Sequence, residues 1–187
     1  MTGVERPRCS VFIATSADGY IARPDGAIDW LDAVQLEGED YGYAAFYESV
    51  DALIIGRGTY DTAVGFPEWP YAEKLVYVMT HRPGPARYNE VFVAGTPDDV
   101  LRRLEDDRAA HAYVDGGNVI GQFLAAGRID HMTLSIVPVI LGAGIPLFRD
   151  GGAEHGLEFE GAQSWPMSGL VQIRYRVAGY RPGGSEA

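Results

Sequence analysis

Ala52-Leu53-Ile54-Ile55-Gly56-Arg57-Gly58-Thr59-Tyr60-Asp61 is an apolar run that turns through two glycines into a short helical pattern ending before Pro67. A strand without a polar face has to be covered on both sides, as inside a parallel sheet flanked by helices. The same grammar returns at Tyr113-Val114-Asp115-Gly116-Gly117-Asn118-Val119-Ile120, where another apolar run meets a glycine pair and a helix start. Between them, a third run closes in Met79-Thr80-His81-Arg82-Pro83. Strand, turn and helix in succession predict an α/β fold.

Working outward from this stretch, eight apolar runs read as strands: Arg8 to Ala14, Ala52 to Gly56, Leu75 to Thr80, Val91 to Ala94, His111 to Asp115, His131 to Pro138, Leu157 to Gln163 and Leu170 to Tyr180. The last alternates Val171, Ile173, Tyr175 and Val177 against Gln172, Arg174 and Arg176, the pattern of a half-buried antiparallel strand. Helical patterns cover Asp40 to Val50, Gly58 to Val64, Thr96 to Arg108 and Gly117 to Ala126. Thr96, followed by Pro97, Asp98 and Asp99, is the strongest helix start in the chain. Strands alternate with helices as far as Gly127, and only strands follow. The expectation is one domain spanning 1–187, with its core at about 8–180 and a frayed tail from Gly183. Its architecture is three α-β-α layers around a mixed, mainly parallel sheet with an antiparallel C-terminal edge.

Composition narrows the function. At 187 residues, 47% hydrophobic and 22% charged, the chain suits one globular core. Fifteen basic against 26 acidic side chains leave a net charge of -11, which repels nucleic acid and anionic membranes alike. The lone cysteine, Cys9, excludes an internal disulfide and multi-cysteine metal sites. The four histidines lack metal-ligand spacing, so no metal is expected. Met1 to Ser10 has no apolar h-region and no segment is long enough to span a bilayer, so a cytoplasmic location is expected.

The chemistry sits at the glycine corners. A helix start presents free N–H groups and the positive end of its dipole, which favour an anion. Asp61 and Asn118 stand where the third glycine of a Rossmann fingerprint would be, so neither corner is that motif. Arg57, Thr80, His81 and Arg82 converge if the strands are parallel, and arginine beside histidine favours a ribose 2′-phosphate over a bare hydroxyl. An ordinary strand-to-helix turn with a solvent-facing arginine explains Arg57 equally well. The stretch Phe12 to Ala22, followed by Asp25 to Trp30, brings two Asp-Gly turns that could fold over a flat ring or simply flank a hydrophobic anchor.

Taken in order, Ser16-Ala17-Asp18-Gly19-Tyr20-Ile21-Ala22, Asp29-Trp30, Ile55-Gly56-Arg57-Gly58-Thr59-Tyr60, Val114-Asp115-Gly116-Gly117 and Ile136 to Phe148 resemble the dihydrofolate reductase-like superfamily. The match is to the branch holding the C-terminal reductase domain of the riboflavin-biosynthesis deaminase-reductase. The resemblance implies an eight-stranded mixed sheet, NADPH as hydride donor, and a homodimer. Its substrate would be a pterin, pyrimidine or ribosylamine, as in 5-amino-6-(5-phosphoribosylamino)uracil reductase. It implies nicotinamide against Ala14 and Ile21, phosphates at Gly56, Arg57, Gly58, Thr59 and the turn Gly116, Gly117, Asn118, Val119 and Ile120, and a 2′-phosphate near Arg57, Thr80, His81 and Arg82. Trp30, Tyr60 and Asp115 are expected at the substrate, with Asp18, Asp29 or Asp40 relaying a proton. The dimer surface is expected at Val139 to Phe148. The acidic Asp29-Trp30-Leu31-Asp32 departs from what a phosphorylated substrate needs.

The reading is thus an NADPH-dependent reductase acting on a C=N or C=O bond. Two other readings remain at this stage: a nucleotide-binding module without turnover, and an interaction domain built on the apolar Val139 to Phe148 segment.

Overall fold

Leu53, Ile54 and Ile55 are fully buried because β3 (Ala52–Gly56) is covered from both sides. Ala52 and Ile54 face Val100, Leu101 and Leu104 of α3 (Pro97–Asp106) and Val119, Ile120 and Phe123 of α4 (Gly117–Ala125). Leu53 and Ile55 face Tyr60 and Ala63 of α2 (Arg57–Val64), with Phe46 and Tyr47 of α1 (Tyr43–Glu48) packed against the same cluster. Each such aliphatic side chain contributes roughly 1.5 to 3 kcal/mol by leaving water. The structure, a computed structural model, describes residues 6–149, 152 and 154–178.

Eight strands form one sheet in the order β5-β4-β3-β6-β1-β7-β10-β9. The remaining ranges are Arg8–Ser16 for β1, Leu75–Met79 for β4, Glu90–Val93 for β5, His111–Asp115 for β6, His131–Val137 for β7, Gly156–Trp165 for β9 and Leu170–Ala178 for β10. Neighbouring strands from β5 across to β7 run parallel, whereas β10 is antiparallel to both β7 and β9. This is the mixed sheet with an antiparallel edge that the apolar runs predict. Tyr180 and the tail from Gly183 lie outside the described residues.

Three features differ from expectation for physical reasons. The helix expected over Asp40 to Val50 is confined to Tyr43–Glu48, because Tyr41 and Gly42 take positive φ angles of 56° and 82°. Asp40 caps the result, its carboxylate accepting from the N–H groups of Gly42 (2.9 Å) and Ala44 (2.8 Å). A two-stranded ribbon, β2 (Tyr20–Ala22) against β8 (Ile145–Pro146), ties the first loop to the segment after β7. Both pieces are too short to leave a period. In β10 the polar Gln172 is buried and Val171 is exposed, because Gln172 Nε2 donates to the carbonyl of Tyr41 (3.1 Å) and to Ser135 Oγ (3.0 Å).

Candidate active site

Because β4, β3 and β6 are adjacent and parallel, their C-terminal ends open on one rim. That rim carries a groove of about 970 Å³. The two helix starts at Gly56 and Gly116 touch each other. A Cβ on Gly116 would come 2.7 Å from Thr59 Oγ1, and one on Gly56 would come 3.2 Å from Val119 Cγ2. Gly116 also holds φ at +92°, open to glycine and rarely to other residues. Neither start is capped by a side chain, so the first-turn N–H groups of two helices face the groove side by side.

The structure brings Ala14, Ile21, Gly56, Arg57, Gly58, Thr59, Thr80, His81, Arg82, Gly116, Gly117, Asn118, Val119 and Asp115 to this groove. Arg57 stands at its β3 end, Nε donating to both carboxylate oxygens of Asp61 (2.8 and 3.0 Å) and one terminal nitrogen donating to the carbonyl of Arg82 (3.1 Å). Ile120 is turned into the core instead. Two expected substrate residues also sit elsewhere. Tyr60 is buried, its hydroxyl donating to Glu90 Oε1 at 2.7 Å. Trp30 is buried among Val34, Val137 and Leu170, beneath the groove-lining Leu31.

Asp18, Asp29 and Asp40 are not among the residues lining the groove. Asp18 accepts from Ser16 Oγ (2.6 Å) and from the N–H groups of Leu141 and Gly142, tying the exit of β1 to the 141–142 turn. Asp29 pairs with Arg23 through two contacts of 2.6 and 2.9 Å, and Asp40 caps α1. These contacts hold all three carboxyls below the usual range, so they are ionised at neutral pH.

Asp115 behaves oppositely. It ends β6 inside the groove, and burial pushes its carboxyl up to about 6 against a single lowering contact from the Gly116 N–H. Tyr71 and Tyr113 line the same end, their hydroxyls pushed up by burial first and by Asp115 second. The Tyr113 hydroxyl donates to the carbonyl of Phe12 at 2.8 Å. Phe12, Ile28, Leu31 and Phe66 also line the groove. Reading the sequence missed Leu31, Phe66, Tyr71 and Arg149, all of which line the groove. The one available signal was the aromatic density of Phe66, Trp69 and Tyr71 between prolines. Trp69 stacks on Tyr88 with centroids 4.7 Å apart and planes 4° apart, and Asn89 Nδ2 donates to the Tyr71 carbonyl at 3.1 Å, which holds that loop against the site.

The geometry fits a dinucleotide: two uncapped helix starts for phosphates, arginines at one end, and a cradle at Gly116 that any side chain would fill. The fold is shared with dihydrofolate reductase. The Enterococcus faecalis enzyme, solved as a complex with NADP(H), superposes with a TM-score of 0.64 at 14% identity, over 94% of this chain and 97% of that one. The chain belongs to the RibD C-terminal domain family, whose profile matches residues 7–172. Its relatives include the uncharacterized protein YwjB of Bacillus subtilis, 36% identical over 168 residues, or 88% of this chain and 95% of that protein. A protein of Shewanella sp. PV-4, provisionally assigned to riboflavin biosynthesis, matches at 33% identity and a TM-score of 0.84, over 91% of this chain and 99% of that one.

Proposed function

We propose that this chain is an NADPH-dependent oxidoreductase reducing a C=N or C=O bond of a small heterocycle. One observation carries the reading: two uncapped helix starts share a groove with a carboxyl whose proton affinity lies near neutrality. When bound along that rim, the reduced nucleotide supplies a hydride to the acceptor carbon. The protein does the rest. The first-turn N–H groups of α2 and α4 bind phosphates, and Arg57, Thr80, His81 and Arg82 receive the 2′-phosphate. Ala14 and Ile21 hold the nicotinamide edge, and closing reactants to about 3 to 3.5 Å is the main contribution to rate. Asp115 gives its carboxyl proton to the acceptor nitrogen or oxygen and regains one from solvent, which balances the two-electron reduction. Such a proton is of no use to a module that only binds nucleotide, which favours catalysis over that alternative.

Fluorescence titration of wild type and Arg57→Ala with NADPH and NADH tests the cofactor assignment. NADPH affinity is expected to fall about tenfold and NADH affinity to change little; equal losses for both would sink the 2′-phosphate reading. A cytoplasmic homodimer is part of the same proposal. Its support is exposed apolar surface: Ile140 (76% exposed) and Phe148 (54%) in the expected segment, and Phe159 (68%) on the β9 edge. Sedimentation of Ile140→Asp and Phe159→Asp separates the two surfaces.

A further inference from the structure

We infer that Asp61 is a positioning residue for the cofactor and sets the preference for NADPH over NADH, which rests on the NADPH reading. It grips Arg57 through Nε and so holds the guanidinium ready for the ribose 2′-phosphate. Arg57 opens α2 and Asp61 lies four residues on, so one helical turn brings both to the same face, and both line the groove. A pair in this order does little for the helix. The cation stands at the positive end of the dipole with the acid one turn further in, the reverse of the arrangement that favours a helix. With side chains 45% and 55% exposed, the two are also too well solvated for their contact to add much to folding. Helix stability therefore does not account for the pair.

What the pair does is fix a direction. A guanidinium carries five N–H donors in a rigid fork. In Arg57 the Nε donor is taken by both carboxylate oxygens of Asp61 (2.8 and 3.0 Å), and Nη1 donates to the carbonyl of Arg82 (3.1 Å). The donors that remain without a partner among the described residues all belong to the two terminal nitrogens, the edge that meets a phosphate through parallel hydrogen bonds. The Arg82 end is itself anchored, since the Arg82 N–H donates to Thr80 Oγ1 at 3.1 Å. The guanidinium is thus held from α2 on one side and from the turn after β4 on the other. An arginine restrained in this way has less rotamer freedom to lose when an anion binds. The charge of Asp61 acts in the opposite sense, because it repels a phosphate dianion. Position and charge are separable: asparagine keeps the acceptor and drops the charge.

The test compares Asp61→Asn with Asp61→Ala, each alone and in the Arg57→Ala background, by calorimetric titration with NADPH and with NADH. Both substitutions remove the charge, so the difference between them isolates positioning. Asp61→Asn is expected to bind NADPH about threefold or more tightly than Asp61→Ala, the worth of one retained hydrogen bond. The two variants are expected to bind NADH alike, and their NADPH gap is expected to vanish in the Arg57→Ala background. A merely structural role for Asp61 would move both nucleotides together. Equal NADPH affinity in the two variants overturns the inference, as does an equal gap for NADH or a gap that survives without Arg57. Failure of the wild-type protein to bind NADPH, or to prefer it to NADH, overturns the cofactor reading instead, and is seen before any variant is made.

Discussion

Two helices on the same face of the sheet begin in opposite ways. At α3, Thr96 and Asp99 cap each other reciprocally, with Pro97 at the first helical position. The Asp99 carboxylate accepts from the Thr96 N–H at 2.8 Å and from its hydroxyl at 2.7 Å; these bonds first, and the pairing with Arg102 after them, bring it down to about 2. At α4 the cap is glycine with no side-chain partner, and the acid just before it, Asp115, is pushed up to about 6. A helix dipole alone would lower both carboxyls. Burial without a cation reverses the shift at Asp115. One helix start is closed by its own residues and adds stability; the other has no side-chain cap and opens on the groove beside a buried carboxyl.

Exchanging these properties should show that difference. The largest effect is expected from Asp115→Asn: turnover falls by about 10² or more while NADPH affinity changes little, and the loss of rate above about pH 6 disappears from the pH profile. Stability should move the other way. Because the folded pKa of Asp115 lies above its unfolded value, the group favours the native state most at low pH and ceases to as pH rises through 6. Asp115→Asn is therefore expected to stabilise the fold at pH 7 to 8 by on the order of 2 kcal/mol in chemical denaturation. A destabilised Asn variant would contradict the burial argument.

Gly116→Ala comes next. With φ at +92° and Thr59 Oγ1 in the way, the added methyl is expected to cost about 1 to 3 kcal/mol and more than tenfold in NADPH affinity. Gly121→Ala, in the same helix with open space around it, is the control and should do neither. The smallest effect belongs to the closed start. Thr96→Ala is expected to cost about 1 kcal/mol of stability and leave NADPH affinity unchanged. Asp99 contributes with the opposite pH sign to Asp115, its stabilisation present at neutral pH and lost as pH falls from about 4 toward 2. A cofactor-affinity defect in Thr96→Ala would erase the distinction between the two helix starts.

What was legible in the sequence was whatever is written in consecutive residues. The run Ala52 to Ile55 is buried on both faces, as its lack of polar residues requires, and Thr96 caps α3 with the Pro97 and Asp99 that announce it. The glycine corners at Gly56 and Gly116 were legible too, since only a small residue suits such close approach. Asp18, Asp29 and Asp40 show where this kind of reading ends. A carboxylate beside a turn looks the same in sequence whether it serves chemistry or bonds its own neighbours, and the deciding partners of Asp18, at Leu141 and Gly142, lie more than a hundred residues away.

By itself, then, the chain's order of apolar runs and glycines determined an α/β sheet with several anion-friendly corners, because backbone geometry and burial act over a few residues at a time. Tertiary structure alone decided that the corners of β3 and β6 abut, that Tyr71 and Phe66 arrive from a loop, and that Asp115 is the carboxyl that burial pushes up to about 6. A proton's affinity depends on the dielectric and charges within a few ångströms of it, and those neighbours come from strands and loops far apart in the chain.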